Sequence, residues 1–163
     1  MTAGELTQDP ASASSEPAHV GPGPVGHIAK VQGAAAKAHG NPEVLLGPLS
    51  SRALLRLDEA LRLADASTGL TFSVYIGELR EPVREDAEEM LFRLADPQHS
   101  VLVAVSPNQR VLEIVTGSVA STRILDRDCK LAALSMSAAF AGGDLGGGLV
   151  AGLAQLAEHA GRP

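Results

Sequence analysis

The apolar positions of this chain follow two rhythms, and the switches between them mark out the elements. Residues 101–105 (VLVAV) and 111–115 (VLEIV) are short runs rich in Val and Leu. The SPNQR between them carries the Ser, Pro and Asn that tight turns favour. Runs this short and this apolar, the first of them unbroken, suit strands covered on both faces, so helices must lie on both sides. Residues 70–76 (LTFSVYI) form a third run of the same kind.

Elsewhere the period is helical. From Ser50 or Ser51, both good helix caps, Leu54, Leu57, Leu61 and Ala64 make one stripe reaching about Ala66. Pro82 stands in the first turn of a second helix, where its missing N–H costs nothing. There Val83, Ala87, Met90, Leu91 and Leu94 keep the spacing, while Glu85, Asp86, Glu88 and Glu89 crowd the turns where the helix dipole favours anions. Asp126 is the expected cap of a third helix to about Ala141, with Cys129, Ala133, Met136 and Phe140 near one face. Asp144 caps a fourth, in which Leu145, Leu149, Leu153 and Leu156 run to about His159.

This order predicts an α/β fold: an α/β/α sandwich whose small mixed sheet of about three strands is flanked by about four helices. The first two strands enclose a helix and are therefore parallel with a right-handed crossover, and the third returns antiparallel through the turn at Pro107. Residues 1–48 are rich in Ala, Gly, Pro and Ser without sustained periodicity. They are expected to be a disordered tail ahead of one domain at residues 49–160.

Aromatic residues make up 2% of the chain, so the core must be built from Leu, Val and Ala, with few platforms for base stacking. The net charge is −6, and both sides of Ser50 are acidic, with 4 acids against 2 bases before it and 15 against 11 after. That excludes nucleic acid and anionic membrane as the main partners, since both reward a basic face. The single cysteine rules out an internal disulfide or a cysteine-based zinc cage within one chain. With no secretory signal and no spanning apolar stretch, a cytoplasmic protein without membrane insertion is expected.

The glycine-rich GGDLGGGLVAG at residues 142–152 lacks both the Gly-Lys-Ser/Thr of a phosphate loop and the G-x-G-x-x-G of a dinucleotide fold. It reads as a turn followed by a strip for close helix approach, with Gly148 and Gly152 four apart. Cys129 falls on an apolar stripe and reads as a buried, inert thiol. Ser135 and Ser137 lie in mid-helix, a poor place for a nucleophile, and no G-x-S-x-G elbow is present. The remaining polar groups sort to two ends of the sheet. His99, Gly117, Asp126 and Asp128 form one candidate site, near Asp96, Gln98 and Arg123. Glu78, Arg80 and Asp144, with the turn at residues 106–110, form a second. Strand polarity favours Glu78, since parallel strands present ligands at their carboxyl ends, whereas the first end has the richer collection of charged groups.

Taken together, FSVYIGEL, SVLVAVSPNQRVLEIVTG and AFAGGDLGGGLVAGLAQLAEHA resemble the TPM domain family. The resemblance is closest to an actinobacterial group of uncharacterised TPM-like proteins and spans about residues 49–159. It implies an α/β/α sandwich. Some TPM domains are acid phosphatases or divalent-cation binders, and others are accessory factors in the assembly and repair of membrane complexes. Here Gln98-His99-Ser100 stands where many members have Asp-Asn-Gly, and Val115-Thr116-Gly117 where they have Gly-x-Gly. Gly77-Glu78 stands in place of paired aspartates. An anionic oxygen is thus lost at Gln98, and hard cations need several. The expectation is a non-catalytic binding or accessory module, without a cofactor, that engages a protein partner or itself. The alternative is a divalent-metal-dependent phosphatase acting on phosphomonoesters, its cation held at the His99 and Asp126 end.

Overall fold

The computed structural model describes residues 27–29 and 48–163, which run in the order β1 (His27–Ala29), α1 (Ser51–Thr68), β2 (Thr71–Ile76), α2 (Val83–Phe92), β3 (Ser100–Ser106), β4 (Val111–Thr116), α3 (Asp126–Ala141) and α4 (Leu145–Ala160). The strands make one mixed sheet in the order β1-β2-β3-β4. β2 and β3 are parallel across α2, and β3 and β4 are an antiparallel hairpin with Ser106 opposite Val111. The three strands and four helices read from the sequence are all present, with the expected polarity.

β1 is an addition. It pairs antiparallel with β2 along residues 74–76. Three residues carry no detectable period, so this strand is defined by its backbone pairing alone. The rest of the expected tail, apart from Pro48, lies outside the described residues.

β3 is buried at every position, which is why its sequence shows no polar alternation. Alternate side chains feed two cores. Val101, Val103 and Val105 join Phe72, Val74 and Ile114 beneath α1, α3 and α4. Leu102 and Ala104 join Tyr75, Leu79 and Val115 beneath α2. The sandwich is therefore thick on one side and one helix deep on the other.

Local details sharpen the expected boundaries. The Ser50 hydroxyl accepts from the Ala53 N–H at 3.2 Å and starts α1, and Gly69 in the left-handed region ends it. α2 ends at Phe92, and Leu94 packs from the turn that follows. Asp126 is the first residue of α3 and not its cap. The cap is Leu125, whose N–H donates to the Asp128 carboxylate at 3.0 Å. The α3 stripe accordingly buries Ala132, with Ala133 at its margin. α4 crosses α3 at a distance that admits no side chain at Gly152, where a Cβ would stand 2.0 Å from Met136 Cε. The glycine strip is a packing device, as its sequence suggested.

Candidate binding cleft and the two ends of the sheet

The hairpin turn begins with Pro107 and is closed by the Arg110 N–H donating to the Pro107 carbonyl at 3.3 Å. It is anchored on the α2 side. The Gln109 carboxamide both accepts from the Leu79 N–H and donates to the Leu79 carbonyl, each at 2.8 Å, and Asn108 donates to Glu78 Oε1 at 3.1 Å. Arg110 ends the turn at φ 55°, a left-handed conformation that glycine or asparagine adopts more cheaply.

On the opposite side of the turn lies a cleft of about 560 Å³, within the size range of ligand sites. Val105, Leu112, Phe140 and Leu145 give it apolar walls, and Arg110 and Ser137 line it as well. No carboxylate lines it, and Arg110 makes no ion pair or side-chain hydrogen bond among the described residues. A smaller cleft of about 280 Å³ adjoins it through Pro48, Gly143 and Leu145 and carries Ser50, Arg56 and Asp144. Elsewhere on α3, Leu131 and Leu134 are 50% and 69% exposed.

The structure places the second sequence-derived group at this end of the sheet but divides it between the two faces. Glu78 holds Asn108. Arg80 is bound by α2, with Nε 2.7 Å from Asp86 and Nη2 2.7 Å from Glu89, and these carboxylates raise its pKa. Asp144 lies on the other face, where its carboxylate accepts from the Gly147 N–H at 2.8 Å and caps α4. Arg110 and Phe140 line the larger concave site at this end, and neither Glu78 nor Arg80 does.

The opposite end, with the richer collection of charges, is built of scaffold contacts. His99 Nδ1 meets Asp96 at 3.0 Å, and this hydrogen bond holds the Asp96 carboxyl below its usual range. Gly117 is where the chain passes against another backbone: a Cβ there would lie 1.9 Å from the Pro97 carbonyl oxygen. Asp126 pairs with Lys130 at 2.7 Å, which lowers its pKa. Asp128 is buried, caps α3, and has His159 Nδ1 3.5 Å away. Arg123 donates to the carbonyls of Thr68, Ala160 and Gly161, tying the ends of α1 and α4 together. No hydrogen bond or ion pair joins His99 to Asp126 or Asp128 among the described residues. Nor, among the described residues, does any group of three or more His, Cys, Asp and Glu have a metal-holding arrangement. Cys129 is buried, and that burial, with Asp126 and Asp128 adding to it, pushes its thiol up to about 11.

Comparison with known proteins completes the picture. The family model described as a domain of unknown function, DUF5130, matches residues 24–157. The chain belongs to the DUF5130 family. Two uncharacterised proteins of Mycobacterium tuberculosis, MT2543 of strain CDC 1551 and Rv2468c of strain H37Rv, are each 34% identical over 100 residues, covering 61% of this chain. The match spans 60% of the length of each of these curated relatives. Relatives in actinobacteria were expected from the sequence, and the family that the comparison shows is DUF5130.

This DUF5130 chain also resembles solved structures in fold. The BA42 protein of Bizionia argentinensis has a TM-score of 0.60 at 18% identity, over 69% of this chain and 81% of that one. The N-terminal domain of the cg2496 protein of Corynebacterium glutamicum gives 0.57 at 17%, over 68% and 72%. The N-terminal domain of a P. gingivalis protein gives 0.59 at 18%, over 69% and 76%.

Sequence reasoning placed the turn at residues 106–110 at this end without singling out Arg110, and passed over Phe140 as a site residue. The signal was there: an arginine at the closing position of a Pro-Asn-Gln-Arg turn, where glycine is the cheap choice, and one of only four aromatic residues left half-buried at a helix end.

Proposed function

We propose that this DUF5130 domain is a non-catalytic, cytoplasmic binding or accessory module of TPM-like kind, working through contact with a protein partner or with itself. The carrying observation is the apolar cleft at the hairpin turn, lined by an arginine that has no ion pair or side-chain hydrogen bond among the described residues. The carboxylates that a phosphatase would require at the other end already serve as helix caps and ion-pair partners. A protected thiol is also in keeping with a reducing compartment.

The test is hydrolysis of p-nitrophenyl phosphate by the purified chain with magnesium, calcium, manganese or zinc added in turn. The expected result is no turnover above the protein-free control. Metal-dependent turnover that disappears in Asp126→Asn would establish the phosphatase instead.

A further inference from the structure

The character of the cleft goes beyond its existence. In a chain of net charge −6, it is lined by an arginine and no carboxylate, so it stands out as a positive spot on an acidic molecule. The adjoining cleft adds Arg56, which likewise has no ion pair among the described residues. The two clefts share Leu145, and Val105, Leu112 and Phe140 add apolar wall to the larger one. Asp144 opposes this charge in the smaller cleft, but its carboxylate is already engaged by the Gly147 N–H.

The contacts of the turn decide which of its side chains are left to line the cleft. Asn108 and Gln109 fasten the turn to residues 78–79 on the α2 side, which leaves Arg110 as the turn residue with a charge to offer the cleft. The left-handed backbone at Arg110 is a local cost that the side chain does not recover from any partner within the described residues. A planar guanidinium is well matched to a carboxylate, which accepts two parallel N–H bonds.

We propose that the joined clefts bind a segment of a protein partner in which an apolar side chain is flanked by acidic residues. The apolar group fills the space between Leu112, Phe140 and Leu145, and a carboxylate pairs with Arg110. Two clefts that adjoin through Pro48, Gly143 and Leu145, each with an arginine, offer room for more than one side chain, which favours a peptide over a compact small molecule. This rests on the binding reading above and gives it a site and a partner chemistry.

The experiment is selection from a random-peptide phage library on the immobilised full chain, followed by titration of the selected peptides and, separately, of octanoate. Amide NMR shifts locate the binding, and sedimentation reports self-association. The decisive variant is Arg110→Gly, which removes the guanidinium while suiting the left-handed turn, so the fold is kept. The expected result is enrichment of peptides with acidic residues around an apolar centre. Their shifts fall on residues 106–112 and 137–145, and affinity drops about tenfold or more in Arg110→Gly, with partial retention in Arg110→Lys. Peptides that bind elsewhere, or equally well to Arg110→Gly, overturn this proposal and leave the binding reading standing. Self-association through the cleft, abolished by Arg110→Gly and without peptide enrichment, does the same. Octanoate binding in the cleft without any peptide overturns both readings, and so does the absence of all three signals.

Discussion

Single residues in this protein are set by what touches them more than by their own chemistry. Gly117 looks like a remnant of a glycine motif, yet its role is to let β4 leave the sheet against the Pro97 and Gln98 carbonyls. Both neighbours are backbone and cannot swing away. Gly117→Ala is therefore expected to lose at least about 2 kcal/mol of stability, measured by urea unfolding. Cys129 illustrates the reverse case, a reactive group silenced by burial. Its thiol rises from an ordinary value of 9.0 to about 11 in the folded chain. Because the neutral form is the one favoured on folding, its contribution to stability is full below the unfolded value and is lost as pH climbs through about 11. Iodoacetamide at mildly alkaline pH should label the native chain slowly and the urea-unfolded chain fast. Rapid labelling of the native state would place Cys129 in an activated environment instead.

Elements are held at their ends. The last carbonyls of a helix lack partners within it, and Arg123 supplies partners to α1 and α4 at once while complementing the negative ends of both dipoles. Arg123→Ala is expected to cost about 1.5–3 kcal/mol, the range for hydrogen bonds to a charged donor, with the loss read by thermal or urea unfolding. The outer strand β4 is managed in a similar way. Arg84 of α2 reaches Glu113 at 3.4 Å and its charge is felt by Asp126 and Cys129 at the start of α3, so charged side chains stand over the edge. Only the turn end of β4, at Val111 and Leu112, opens into the cleft.

At the scale of the whole molecule, the layers were legible in the sequence and the site was not. Buried strands such as VLVAV and stripes such as Leu57, Leu61 and Ala64 state their surroundings in their spacing, because burial is a property of the pattern. β1 left no mark, since three residues paired only through their backbone have no period. The charged loop end near His99 and Asp126 seemed the richer site because composition counts groups without their partners. In the fold those groups are caps, clamps and local ion pairs. The cleft was hidden for the converse reason: it arises where the ends of β3, β4, α3 and α4 fail to close on one another, and a sequence does not list gaps.

The central claim is that this molecule acts by contact at the hairpin turn and not by chemistry at the opposite end. Amide NMR of the uniformly labelled full chain tests it most directly, with magnesium, calcium and zinc titrated first and a selected acidic peptide second. The account predicts shifts only with the peptide, confined to residues 106–112 and 137–145. Saturable cation-induced shifts at residues 96–99 and 117–128, with the turn unmoved by any peptide, would contradict it.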